Sequence, residues 1–342
     1  MIRELISKLV ENIDLTEEEM VQAMDEIMSG IATPAQIGSF ITALRMKGET
    51  VFEIAGAAKV MRSKAEAVHI NTVRKGNGVI LDIVGTGGDK AGTFNVSTTT
   101  AFVAAGAGIT VAKHGNRAVS SRCGAADVLE KLGVNLNLKG PEVESCINRT
   151  GIGFLFAPVF HNAMKHAALP RKETGIRTVF NLLGPLTNPA GATVLLLGVY
   201  DSNLTEKIAL VLDRLSTKEA FVVCGHGSLD EISISGPTAV SHLKNGKVKN
   251  FEITPEELGF KRAVPEDIAG GDAAENADIV RRILGGEKGP KRDTVLINAC
   301  AAFVAAGLAK DFKEGKNLSE DSIDSGRAEK KLEDLIEATN NL

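Results

Sequence analysis

The sequence is poor in aromatic residues: among 342 residues there is no Trp, one Tyr and an aromatic share of 4%. Glycine is plentiful instead, at 35 residues, which points to close backbone packing. An excess of basic residues is also missing. The net charge of −4 argues against an extended nucleic-acid backbone binder, whose footprint is a basic face. It leaves room for a small phosphorylated ligand in a local basic pocket. The four cysteines, Cys123, Cys146, Cys224 and Cys300, form no C-x-x-C pair and no Cys/His cluster. Neither a disulfide framework nor a zinc site is expected, and the thiols are expected to be reduced. No stretch reaches the roughly 18 consecutive apolar residues of a membrane span. The opening MIRELISKLVENIDLTEEE is charged throughout and lacks the apolar core of a signal peptide. A cytoplasmic protein without a membrane partner is expected.

What is present is the material of a soluble α/β protein. Hydrophobic residues make up 44% and charged residues 24%, in a chain long enough for one large domain or two ordinary ones. Residues 2–13 place Ile2, Leu5, Ile6, Leu9, Val10 and Ile13 at helical spacing. Thr16, Thr33-Pro34 and Thr50 open three further helices, the first running to about Met28 and the last ending near Arg62. Several of these helices carry more apolar surface than a small unit can bury, so this region should pack on a partner. From Gly78 the pattern changes to strand–helix alternation. VILDIVG (79–85), GITVAKHG (108–115), VLLLGVY (194–200), AFVVCG (220–225) and the ISISG run (232–236) read as strands. Helices are expected from about Ser97, over 124–132 and over 203–215, the last with Asn203 as its cap. Such alternation favours a mostly parallel sheet covered on both faces, with ligands at the strand C-termini. Residues 160–192 interrupt it with a helical stretch and the proline-punctuated NLLGPLTNP. From Asn276 the chain returns to helices, the last strongly charged and solvated. The two copies of AFVAAG, 101–106 and 302–307, read as close-packed small-residue helices rather than a repeat.

The stretch LDIVGTGGDKAGTFNVSTTTA carries the first functional signal. Gly85-Thr-Gly-Gly-Asp89 matches neither G-x-G-x-x-G nor the P-loop, so both common nucleotide fingerprints are absent. Its glycines permit positive φ and close approach of a ligand to main-chain N–H groups. Asn95, Ser97 and Thr98 follow where a helix begins and offer hydroxyls and free amides to an anion. An ordinary strand-to-helix turn explains the loop alone equally well. Lys113-His-Gly-Asn-Arg117, with Ser120 and Ser121 beyond it, shifts the balance. Two successive strand-end loops of a parallel sheet converge, joining bare amides to cations as a phosphate ligand requires. Asp230 and Glu231 then add two adjacent carboxylates. Taken singly they read as a surface pair; facing such a pocket they suit Mg²⁺, which takes one or two carboxylates together with phosphate oxygens.

In combination GTGGD (85–89), NVST (95–98), KHGNRAVSSRCGAADVLEKLGV (113–134), RKETGIRTVFNLLGPLTNP (171–189) and LDEIS (229–233) resemble the anthranilate phosphoribosyltransferase family. The N-terminal TPAQIGSFITALRMKGET also looks like this family, so the resemblance spans nearly the whole chain. It implies a small N-terminal helical domain, residues 1–70 joined by helices from about 163–188, and a large α/β domain, residues 71–342. The large domain would have the mostly parallel central sheet of the type III phosphoribosyltransferases and related nucleoside phosphorylases. The implied reaction moves the phosphoribosyl group of phosphoribosyl pyrophosphate (PRPP) onto the amino group of anthranilate, in tryptophan biosynthesis. Gly85, Gly88, Asp89, Thr93, Asn95, Val96, Ser97 and Thr98 would hold PRPP. So would Lys113, His114, Gly115, Asn116, Arg117, Ala118, Val119, Ser120, Ser121 and Ala125. Gly85, Asn116, His161 and Arg171 would meet anthranilate, the guanidinium fork of Arg171 suiting its carboxylate. Ser97, Asp230 and Glu231 would hold Mg²⁺, expected as two ions partly carried by PRPP. No acid or base is expected to act catalytically.

The resemblance also implies a homodimer through the helical domain and no fused amidotransferase, since the sequence opens directly on that domain. Two departures stand out: Ala125 replaces a serine common in the family, which removes a hydroxyl, and Asn162 follows His161 where proline is frequent. A pyrimidine nucleoside phosphorylase of the same architecture is the alternative enzyme, and a non-catalytic PRPP- or nucleic-acid-binding relative the alternative of another class.

Overall fold

Thr16, Thr33 and Thr50 begin their helices by one device. Each threonine hydroxyl accepts the N3 amide while Glu19, Gln36 or Glu53 reaches back to the cap amide. The resulting helices are α2 (Glu17–Met28), α3 (Pro34–Lys47) and α4 (Val51–Lys64). They follow α1 (Ile2–Val10), which is shorter than its apolar spacing predicts. Asn12 at φ 61 ends the helix and leaves Ile13 outside it. The computed structural model describes residues 1–70, 78–89, 91–118 and 122–342.

The strand–helix region begins with β1 (Ile80–Gly85), α5 (Val96–Gly106), β2 (Thr110–Gly115), α6 (Ala125–Leu132), α7 (Gly140–Thr150) and β3 (Ile152–Phe156). Short helices α8 (Ala157–Phe160), α9 (Lys165–Thr174) and α10 (Phe180–Leu183) lead into β4 (Val194–Gly198), α11 (Leu204–Arg214) and β5 (Glu219–Gly225). A hairpin, β6 (Thr238–Lys244) and β7 (Lys247–Ile253), precedes α12 (Ala273–Leu284), α13 (Pro290–Ala305), α14 (Phe312–Asp324) and α15 (Arg327–Asn340). The seven strands form one sheet in the order β3-β2-β1-β4-β5-β6-β7. The first five are parallel, and β6 and β7 join antiparallel at one edge.

Side chains alternate across the sheet as the pleat requires. Leu81, Ile83, Val194, Leu196, Phe221 and Val223 face a core made with α5, α12, α13 and α15. Leu195, Leu197, Ala220 and Val222 face the opposite core, made with α1 to α4, α10 and α11. Much of the apolar surface of the N-terminal helices is therefore buried within the same chain, while Val10, Ile13, Ile31, Met46 and Phe52 stay exposed. The two AFVAAG segments pack as expected. A Cβ on Gly106 would come 2.7 Å from the Ala328 nitrogen, so a larger residue there would push α15 away.

Four expectations need correction. The ISISG run is not a strand: the Asn298 side chain accepts from the Ile232 amide at 2.9 Å and donates to its carbonyl at 3.0 Å, taking the place of sheet partners. Asn203 makes no side-chain cap; Asp201 instead accepts from the Asn203 amide at 2.9 Å. The charged last helix is not solvated all round, since Ala328, Leu332, Leu335 and Ala338 are buried. Strands β3, β6 and β7 add to those expected. The β6–β7 turn is Asn245-Gly246 with both residues at positive φ, the chemistry of a tight hairpin.

Candidate active site

Three glycines at strand ends create the site. Gly85, Gly198 and Gly225 close β1, β4 and β5, and the segment carrying Asp230 and Glu231 lies directly on them. A Cβ on Gly85 would stand 2.2 Å from Asp230 Oδ2, one on Gly198 1.6 Å from the Asp230 carbonyl oxygen, and one on Gly225 2.5 Å from the Glu231 carbonyl oxygen. Any side chain there would displace the carboxylates. Asn298 grips Ile232 from behind, so the pair is held on both sides.

The glycine loop and α5 then meet those carboxylates. The Gly87 amide donates to Asp230 Oδ2 at 2.7 Å, and the Ser97 amide donates to Glu231 Oε1 at 3.0 Å. Lys113, buried on β2, donates to the Ile83 carbonyl at 2.7 Å and to Ser97 Oγ at 3.4 Å. Burial pushes Asp230 up to about 7, helped by the charge of Asp89 and a hydrogen bond to it. Glu231 is raised well above the usual carboxylate range, first by burial and then by Asp230. Burial also lowers the Lys113 ammonium, against the pull of Asp82, Glu231 and Asp230. Among the described residues, three carboxyl groups, Asp89, Asp230 and Glu231, thus crowd around too little positive charge. Hard oxygens lacking a cation suit a divalent ion such as Mg²⁺. Among the described residues no group of three His, Cys, Asp or Glu side chains forms a cage alone. This fits an ion that arrives with oxygens from its ligand.

Several polar atoms near these segments lack partners among the described residues. Thr86 Oγ1, within the glycine loop, and Thr98 Oγ1, in the first turn of α5, are buried with no hydrogen bond among the described residues. So are His114 Nε2 and His161 Nε2, whose rings stand 5.1 Å apart. His114 turns its Nδ1 to the Gly184 carbonyl at 3.2 Å. Burial lowers His114 to about 3 and His161 to about 4, so both imidazoles are neutral at pH 7. Their free nitrogens can serve a polar ligand but do not carry a proton to it at neutral pH.

The structure thus brings together Gly85, Gly88, Asp89, Ser97, Lys113, Asp230 and Glu231. Thr93 forms a bridge to Ala269, and Val96 is buried at the start of α5. Asn95 does not cap α5 with its side chain; it accepts from Asn276 Nδ2 at 3.0 Å and donates to the Cys123 carbonyl at 3.4 Å. Gly115 is packed by Phe154, and Ala125 opens α6 beside it. Asn116 is exposed. Arg117 is turned outward onto Asp127 at 3.1 Å and Glu130 at 2.8 Å. The Ala118 amide also donates to Asp127, at 2.9 Å. Val119, Ser120 and Ser121 lie outside the described residues. Arg171 stacks over Phe180 at 5.0 Å, and burial lowers its guanidinium. The expectations missed Thr86, whose unsatisfied hydroxyl only a structure reveals, and Arg177, which donates to the Gly88 carbonyl.

Residues 77–329 match the model of the glycosyl transferase family a/b domain, and residues 3–65 that of its helical bundle domain. An anthranilate phosphoribosyltransferase from Acetivibrio thermocellus is 54% identical over 340 residues, covering 99% of this chain and 97% of the relative. The chain belongs to the anthranilate phosphoribosyltransferase family. Its fold agrees with a solved member from Thermus thermophilus at a TM-score of 0.92 and 44% identity, covering 98% of this chain and 99% of that one. A yeast member, from Saccharomyces cerevisiae, solved in complex with PRPP and Mg, matches at a TM-score of 0.91 and 33% identity, covering 100% and 98%. The small helical domain and the large domain around a mostly parallel sheet are those of the family.

Proposed function

We infer that this chain is an enzyme of tryptophan biosynthesis that transfers the phosphoribosyl group of PRPP to the amino nitrogen of anthranilate, releasing pyrophosphate. The observation that carries the reading is the crowd of Asp89, Asp230 and Glu231 beside a glycine loop, on a scaffold shared with the family.

In this reading Asp230, Glu231 and the Ser97 hydroxyl hold Mg²⁺, two ions in all, with further oxygens from PRPP. When bound, the metal supplies the positive charge that stabilises a departing pyrophosphate. Gly88, Asp89, Thr93 and Asn95 to Thr98 present amides and hydroxyls to PRPP, and Lys113 to Ser121 and Ala125 complete its binding. Arg117 would have to leave Asp127 and Glu130 to reach a phosphate. The guanidinium of Arg171 pairs with the anthranilate carboxylate, with Asn116, His161 and Gly85 along the ring. His161 and His114 stay neutral and so offer no acidic imidazolium to the weakly basic aromatic amine, which is itself unprotonated at neutral pH. The amine nitrogen attacks C1 of the ribose as the C1–O bond to pyrophosphate breaks, and the surplus amine proton then passes to water or to the released pyrophosphate. Positioning and charge stabilisation carry the rate, without a side-chain acid or base.

Residues 1–70 with about 163–188 act as the helical domain and 71–342 as the α/β domain. The large exposed apolar side chains of the helical part, Val10, Ile31, Met46 and Phe52 among them, support a homodimer formed through it. Among the described residues no helix is long and apolar enough to cross a membrane, and a cytoplasmic location suits the reaction.

Incubation with PRPP, Mg²⁺ and anthranilate should consume the fluorescence of anthranilate. Unchanged fluorescence, with phosphate-dependent cleavage of a pyrimidine nucleoside instead, would overturn the reading.

A further inference from the structure

Arg177 lies in the turn between α9 and α10, far in sequence from the glycine loop, yet its guanidinium donates to the carbonyl of Gly88. The same guanidinium lies flat over the Tyr200 ring, 4.1 Å from its centroid, just beyond the end of β4. Among the described residues it pairs with no carboxylate, so its charge is directed at one backbone carbonyl and one aromatic face. Gly88 sits at φ +74, and a Cβ there would approach Arg177 Nη2 to 3.2 Å. The loop is therefore pinned at two adjacent points: Asp230 takes the Gly87 amide and Arg177 takes the Gly88 carbonyl. The first pin is itself a carboxylate that the metal would claim. Once the ligand draws Asp230 away, the loop keeps the Thr86 amide on the Gly198 carbonyl at 2.9 Å and, at its glycine pair, Arg177.

We propose that Arg177, clamped by Tyr200, is a positioning residue for PRPP: it holds the Gly88 carbonyl outward so that the neighbouring loop amides face the pyrophosphate. The inference rests on the PRPP reading above. Charge-assisted hydrogen bonds are the strong class, and the planar guanidinium fork keeps its geometry better than a flexible ammonium. Because α9 packs on α3 of the helical domain, the same strap ties the PRPP loop to that domain.

The test is steady-state kinetics of wild type, Arg177→Ala, Arg177→Lys and Tyr200→Leu, varying PRPP and anthranilate in turn. The wild type must first turn over both substrates, which tests the underlying reading separately. Arg177→Ala is expected to raise KM for PRPP about tenfold or more, with KM for anthranilate changed less than about threefold. Arg177→Lys should recover part of the loss, and Tyr200→Leu should show a smaller rise in the same constant. An unchanged KM for PRPP in Arg177→Ala, or a selective rise for anthranilate, would overturn the proposal. Should the alanine variant fail to fold, the lysine and Tyr200 variants decide the question by the same split between the two constants.

Discussion

Asp82 and the Asp230–Glu231 pair are both acidic groups near Lys113, and their surroundings differ in a telling way. Asp82 lies in the middle of β1, fully buried, where Asn188 Nδ2 donates to it at 2.8 Å and the His114 amide at 3.2 Å. Burial raises it to about 6, opposed by the Lys113 charge and these hydrogen bonds. Asp230 and Glu231, at the strand ends, receive one amide each, from Gly87 and Ser97, and repel one another and Asp89. Both arrangements carry a desolvation cost. In the first the protein supplies the compensating partners, so the group holds the sheet together. In the second it withholds them, and in the proposed reading the missing charge is what a metal-bound pyrophosphate would bring.

The most damaging way to break this contrast is to move the carboxylates without touching them. Gly198→Ala places a Cβ on the Asp230 carbonyl, so turnover should fall by about 100-fold from misplacement alone. Circular dichroism should show the fold retained, and near-normal turnover would refute this account of the glycine. Asp82→Ala should act chiefly on stability. It leaves the Asn188 amide and the His114 N–H without their acceptor, and costs about 1–3 kcal/mol in denaturant unfolding.

A gentler probe is pH. Asp230 holds its proton to about 7 in the folded chain and only to about 3.8 when unfolded. The folded state therefore binds more protons between those values, and stability falls as pH rises through this window. Asp82 adds the same sign up to about 6. The melting temperature of the ligand-free protein should decline from pH 5 to pH 8, and the decline should be shallower in Asp230→Asn/Glu231→Gln. Mg²⁺ with pyrophosphate should restore the loss at pH 8. The smallest effect belongs to Arg117, which is exposed and already paired with Asp127 and Glu130. Arg117→Ala should leave thermal stability essentially unchanged, because exposed ion pairs contribute little.

The legible parts of the molecule were those with local signals. The three threonine caps, the apolar runs of β1, β4 and β5 and the small-residue helices follow from residues a few positions apart. The ISISG run misled because its alternation is real, while the partner that replaces the sheet is Asn298, 66 residues away. The hairpin carries a local signal in Asn245-Gly246, two residues that readily take the positive φ of a tight turn. The site was partly legible: GTGGD, KHGNR and the Asp-Glu pair stand out by residue type. What sequence spacing does not reveal is why Gly198 and Gly225 must be glycine, or that Arg177 reaches Gly88. Those facts depend on chain segments that meet only in the folded sheet.

The central claim is that the crowded carboxylates at the strand ends serve a metal-bound PRPP. It is tested most directly by anthranilate consumption as a function of Mg²⁺ concentration, in the wild type and in Asp230→Asn/Glu231→Gln. The account predicts a saturable Mg²⁺ dependence in the wild type, and in the variant a turnover lowered by about 100-fold or more whose metal dependence is weakened. Superimposable Mg²⁺ curves with equal turnover would contradict it.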